Sequence, residues 1–226
     1  MELALLKHYQ DFIERVNELG FLPFSNIYPG LPSLHGETPK SIWYTRDPDT
    51  DPSYWKDCVS GEKKLAYGSI IGGNKGFVSE RMYANFYAAY HIETSMKERW
   101  ESGQVNEMTW KLWNMFEENS IYSTTELRKI LGVTTKKGGS RLDKSLTDLQ
   151  HCFYITISRT EQRTDKNGKS YGSPQNVYEK VTSWVPQGWL EDAKISKEEA
   201  RKFIIETAVS MGQNISPAEV EKLMFK

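Results

Sequence analysis

Apolar positions recur along this chain in two rhythms, and the changes between them mark its elements. From residue 2 to 19, Leu5, Leu6, Tyr9, Phe12, Ile13, Val16 and Leu19 share one stripe at helical spacing, with Gly20 as the stop. The pattern then breaks. Residues 21–63 carry six of the nine prolines, together with Trp43, Tyr44, Tyr54 and Trp55. That stretch is too aromatic for a disordered linker and predicts an ordered, loop-rich arm wrapped over the helices. Leu65–Ile71 reads as a short strand and Gly72-Gly73-Asn74-Lys75-Gly76 as a turn. Ser79 is placed to cap a helix whose face carries Tyr83, Phe86, Tyr87 and Tyr90. The helical pattern weakens beyond Met96, and Glu101-Ser102-Gly103 reads as a hinge.

From Asn106 the rhythm restarts. Met108, Leu112, Met115 and Phe116 predict a first helix, and Ile121-Tyr122 a short bridge able to pair as a strand. Ser123-Thr124-Thr125-Glu126 is a capping box, with Gly132 closing the helix behind it. A further helix begins near Ser140 with Leu142, Leu146 and Leu149 inward, which leaves Arg141, Lys144, Ser145 and Asp148 outward. Phe153–Ser158 alternates as a half-buried strand, and its return strand carries Tyr171, Val177 and Tyr178, with Pro174 at a bulge or edge. Between them lies Asp165-Lys166-Asn167-Gly168, in which Asn-Gly is a strong hairpin signal. Helix, strand, helix, helix, hairpin is the winged-helix order. Two further capping boxes, Ser196–Glu199 and Ser216–Glu219, open a C-terminal helix pair. This pair reads as a truncated helix-turn-helix without its recognition helix. The expected fold is mainly α with a small antiparallel β hairpin (α+β). It divides into a helical and irregular aromatic-rich region (1–103), a winged helix (104–190) and the C-terminal pair (191–226).

Charge sharpens this picture. The chain totals −1, yet residues 134–180 hold nine Lys/Arg against five Asp/Glu, a net of +4, so the remainder sums to −5. A basic patch on a helix-turn-helix and its wing is the footprint of a polyanion-binding face, which makes double-stranded DNA the expected partner. The residues placed to hold it are Lys136, Lys137, Ser140, Arg141, Lys144 and Ser145 on and before the recognition helix, and Arg159, Arg163, Lys166 and Lys169 on the wing. The plainer reading of the same residues is a solvated face on a protein-interaction module.

Other chemistry is sparse. Cys58 and Cys152 are lone thiols, and His8, His35, His91 and His151 match no metal spacing, so neither disulfide, metal nor cofactor is expected. The glycine-rich turn at 72–76 lacks P-loop spacing, leaving at most a phosphate contact through Lys75. Asp47-Pro48-Asp49-Thr50-Asp51 begins like a calcium loop but has Pro52 where the sharp-turn glycine belongs. Glu37, Asp47, Asp49 and Asp51, beside Trp43 and Tyr44, are the acids available for base-excision chemistry. No apolar run has membrane-span length, and the N-terminus lacks a signal-peptide pattern, so a cytoplasmic setting is expected.

Several stretches together resemble a known group: Glu18–Phe24, Trp43–Trp55, Ala66-Tyr67-Gly68 with Gly76–Ser79, and Ser140–Asp143 through Leu149-Gln150. They are similar to small bacterial proteins related to the AlkZ-type winged-helix DNA glycosylases, which repair alkylated and crosslinked bases. The resemblance implies tandem winged helices and a DNA-repair setting. Those glycosylases carry a Gln–apolar–Gln or Gln–apolar–Asp motif soon after the first helix. The matching position here reads Leu22-Pro23-Phe24-Ser25, so neither polar residue is present. The expectation is therefore a DNA-binding protein without that catalytic motif. The alternatives are a base-excision enzyme using a carboxylate within 37–51, and a transcription regulator or protein-interaction module.

Overall fold

The computed structural model describes residues 5–134, 137–165, 167–191 and 195–225. Among them are eleven α-helices and two three-stranded antiparallel sheets, an α+β fold dominated by helix. Helix α1 (Tyr9–Leu19) buries Phe12, Ile13, Val16 and Leu19, the predicted stripe. Gly20 ends it at φ +93, where a Cβ would stand 2.6 Å from Met82 Cγ.

Next comes an element that the pattern does not reveal. Phe21–Pro23, expected as loop, is strand β1, and it pairs with β3 (Asn74–Val78), which in turn pairs with β2 (Ala66–Ile71). Three residues buried on both faces leave no alternation to read. The β2–β3 turn is Gly72-Gly73 alone, with φ of +54 and +77, the conformation required at both centres of a type I′ hairpin. Asn74, Lys75 and Gly76 therefore belong to a strand, and Lys75 does not sit at the tip of a phosphate-binding loop.

The proline-rich arm is ordered. It contains α2 (Leu34–Glu37), a 3₁₀ turn at Lys40–Ile42 and α3 (Pro52–Cys58). Its anchor is Trp55, fully buried, stacked on Phe12 at 5.5 Å and donating from Nε1 to the Asp49 carbonyl. Helix α4 (Glu80–Tyr90) starts after Ser79, whose hydroxyl donates to the Gly20 carbonyl instead of capping the helix. Helix α5 (Met96–Glu101) follows with its own capping box at Ser95.

The next segment runs α6 (Glu107–Glu118), β4 (Ile121–Ser123), α7 (Thr124–Ile130), α8 (Gly139–His151), β5 (Ile155–Glu161), β6 (Gln175–Lys180) and α9 (Val181–Trp184). Its sheet has the order β4-β6-β5: the Ile121-Tyr122 bridge does pair as a strand, and the structure makes its partner the return strand. The Ser123 capping box forms as expected. The irregularity of the hairpin lies between Ile157 and Arg159, whereas Pro174 only precedes β6.

Helices α10 (Lys197–Met211) and α11 (Pro217–Met224) both begin with the predicted capping boxes. They fold back on the N-terminal region: the Tyr90 hydroxyl donates to the Met224 carbonyl, and the Gln213 N–H to the Gly30 carbonyl. Two cores result. One joins α1, the arm, α6, α7, α8 and the β5–β6 hairpin; the other joins β2, α4, Phe153, Trp184, Trp189, α10 and α11.

Candidate nucleic-acid interface

Helix α8 is held down by Leu142, Leu146 and Leu149, all buried. Each such side chain contributes about 1.5–3 kcal/mol by leaving water, which fixes the rotation of the helix and hence what it shows outside. Ser140, Arg141 and Lys144 are exposed, as is Lys137 ahead of the helix. Lys137 lies in a tight turn in which its N–H donates to the Thr134 carbonyl at 3.1 Å and its carbonyl accepts from the Thr134 N–H at 3.0 Å. Lys136 falls outside the described residues, as does Lys166 on the hairpin.

Ser145 corrects the expected outer face. It is fully buried, its hydroxyl accepting from Thr109 Oγ1 at 2.9 Å and donating to Asn106 Oδ1 at 3.3 Å. Position 145 lies three residues after Leu142 and four before Leu149, so it belongs to the inward stripe, and α6 satisfies its polar group. Gln150 is buried too. It accepts from the Ser69 N–H at 3.1 Å and donates to the Leu146 carbonyl, tying α8 to strand β2.

Arg141 and Lys144 line a cavity of about 470 Å³ between α8 and the start of α6, with Asn106, Glu107, Met108 and Lys111. Lys111 adds a cation that the charge count over 134–180 leaves out; the Glu107–Lys111 spacing on an amphipathic helix was its available signal. Two pairs restrain this neighbourhood: Lys144 lies 3.5 Å from Asp148, and Lys111 lies 2.6 Å from Glu107. Arg141 has no carboxylate within ion-pair distance among the described residues.

On the hairpin, Arg159 and Lys169 are exposed and Arg163 is half-buried. Arg159 lies 3.7 Å from Glu161. The tip is an Asx turn: the Asp165 carboxylate accepts from the backbone N–H of Asn167 at 2.8 Å and of Lys169 at 3.0 Å. Between this hairpin loop and the arm lies a second cavity of about 700 Å³, lined among others by Tyr44, Arg46, Tyr54, Asp57 and Tyr171. It shares no residue with the cavity beside α8. Tyr44 and Arg46 hold positive φ, +63 and +67, because both backbone N–H groups donate to the Asp51 carboxylate.

Residues 6–225 match the model of the family described as AlkZ related. The chain belongs to the AlkZ-related family. No curated protein matches it. In this AlkZ-related protein Leu22 and Pro23 are buried in β1, and Phe24 packs among the rings of His35, Trp43, Tyr67 and Phe77.

Each carboxylate considered for base excision has a structural partner. Glu37 is buried and takes two hydrogen bonds from the Arg15 guanidinium, at 3.1 and 2.9 Å. Asp47 accepts from the N–H groups of Asp49 and Thr50. Asp49 meets His8 at 2.7 Å, a contact that lowers its pKa and raises that of His8. Asp51 caps α3; burial alone would raise its pKa, but hydrogen bonds from Ser53, Arg46 and Tyr44 outweigh it and hold the group low. Asp57 differs. Burial pushes its pKa up against the opposing influence of Lys56.

Among the described residues no group of three or more His, Cys, Asp and Glu is placed to hold a metal, and no helix is long and apolar enough to cross a membrane.

Proposed function

We propose that this protein binds double-stranded DNA through a winged helix formed by α6 to β6, in a DNA-repair setting. The observation that carries the reading is the outer face of α8. Arg141 and Lys144 stand exposed beside Lys111, on a helix whose rotation is fixed by three buried leucines. The element order and the β4-β6-β5 sheet support the winged helix, and the family supports the repair setting. In this reading α8 enters the major groove, while Arg159, Arg163 and Lys169 track the backbone from the hairpin. Lys137, with Lys136 and Lys166 from the sequence, adds phosphate contacts.

The absence of the Gln–apolar–Gln/Asp motif, together with the structural engagement of Glu37, Asp47, Asp49 and Asp51, supports binding without that base-excision chemistry. A second reading, an enzyme acting on an unstacked base, draws on the cavity between arm and hairpin with its exposed Tyr44, Tyr54 and Tyr171. Salt-titrated duplex binding, with abasic sites assayed in the same samples, separates the two. Replacing Arg141 and Lys144 by alanine is expected to weaken binding and reduce the salt slope by about 2, near one unit per lost phosphate contact. An unchanged slope in the folded double variant removes this face from the interface, and base release from alkylated duplex favours the second reading.

A further inference from the structure

Arg99 is buried, at 9% exposure. Its surroundings do not match its charge. Nη1 reaches the Tyr154 hydroxyl at 3.2 Å and the guanidinium lies over the Tyr154 ring at 5.6 Å, but Nε has no partner. No carboxylate among the described residues lies within ion-pair distance. Burying a guanidinium costs hydration, and no ion pair with a carboxylate offsets that cost here.

Arg99 lines a cavity that gathers other polar side chains. It holds about 200 Å³ at the junction of α5, α6 and α8, and its lining includes Arg99, Gln104, Asn106, Asp148, His151 and Tyr154. His151 Nδ1 is buried without a partner as well. Asp148 is the one acid in the lining; its carboxylate is 44% exposed and lies 3.5 Å from Lys144 on the outer face of α8. Arg99 is thus left without a negative partner inside.

We propose that this cavity, with Arg99 and His151 as its principal donors, is a binding site for a phosphate-type oxoanion. A tetrahedral oxoanion supplies what the guanidinium lacks, a negative charge, together with oxygen acceptors for N–H groups of Arg99 and of the imidazole. Asn106 lines both this cavity and the one beside Arg141 and Lys144, so the two sites adjoin. The oxoanion is therefore either free phosphate or a backbone phosphate of bound nucleic acid, and the site stands whichever supplies it.

The test is thermal unfolding of the whole chain in inorganic phosphate against chloride of matched ionic strength. At about ten times Kd, phosphate is expected to raise the wild-type Tm by roughly 3–6 °C. Arg99→Met is expected to lose that response while unfolding in chloride no earlier than wild type, since it removes an unpaired buried charge. Equal phosphate responses, or a large drop for Arg99→Met in chloride, overturn the site and make Arg99 structural. If Arg99→Met does not fold, wild-type His151 ring resonances must move on phosphate titration, and unmoved resonances overturn it equally. Competition gives the source: phosphate that weakens duplex binding by wild type more than chloride of matched ionic strength identifies a backbone phosphate, and phosphate stabilisation without that excess identifies the free ion. This readout does not depend on DNA binding, so failure of the interface proposed above leaves it intact.

Discussion

At the scale of single residues, two polar side chains separate packing from function. Ser145 sits on α8 between exposed cations yet spends its hydroxyl on Thr109 and Asn106. Ser145→Ala leaves the buried Thr109 hydroxyl without its acceptor, a loss of about 1–3 kcal/mol that denaturant unfolding should register. The salt slope of DNA binding should stay unchanged. A reduced slope at unchanged stability would show that Ser145 reaches a phosphate after all. Lys75 is the second case. Its ammonium lies over the Tyr67 ring and 3.3 Å from Gln150 Oε1, and burial, with a smaller effect of Lys56, pushes its pKa down from 10.5 to about 8. Between those values the unfolded chain binds more protons than the folded one, so this lysine makes stability rise with pH from about 8 to about 10.5. Lys75→Met is expected to unfold at or above the wild-type temperature at pH 7, with the difference shrinking as pH passes 8. A lower Tm at pH 7 would show that the charged form is needed.

At the scale of elements, the glycine pair of the β2–β3 hairpin gives a graded test. Both residues hold positive φ, but a Cβ on Gly72 would stand 2.8 Å from the Tyr28 hydroxyl, whereas nothing lies within 4 Å of one on Gly73. Gly73→Ala should cost only backbone strain, about 1 kcal/mol. Gly72→Ala adds a clash with the hydroxyl that donates to the Ile71 carbonyl at 2.6 Å, so it should cost clearly more. Equal losses by thermal unfolding would remove the packing argument. Most elements were legible in the sequence because capping boxes and helical stripes are local signals: the boxes at Ser123, Ser196 and Ser216 all form. Strand β1 was not legible, since its three residues acquire strand character only from β3 beside them. The Ser79 side chain was misread for a related reason, because its hydroxyl answers a carbonyl 59 residues away.

At the scale of the whole molecule, the C-terminal helices complete a core instead of standing apart. Ala200, Ile204, Ala208, Val220 and Met224 are buried in one cluster with Met82, Phe86 and Tyr90 of α4. A chain ending at residue 190 should therefore lose cooperative unfolding and expose apolar surface. The intact chain should melt in one transition, with calorimetric and van't Hoff enthalpies in agreement. Two resolved transitions, or a truncated chain that melts cooperatively, would establish independent units. The sequence by itself determined the longer helices α1, α4, α6, α8 and α10 and the cluster of positive charge over 134–180, because periodicity, caps and turn residues act over a few positions; the short helices α2, α3, α5 and α9 and the pairing of β4 with β6 came only with the structure. It also placed Arg141 and Lys144 outward, since the three leucines behind them leave one rotation for α8. Only the tertiary structure decided that Ser145 turns inward, that Lys111 joins the basic cavity, and that the aromatic arm and the hairpin loop line a common cavity. It alone left Arg99 buried without a counter-charge. Burial and pairing depend on neighbours far away in the chain, and no local pattern encodes which side chain will lack a partner once the cores have closed.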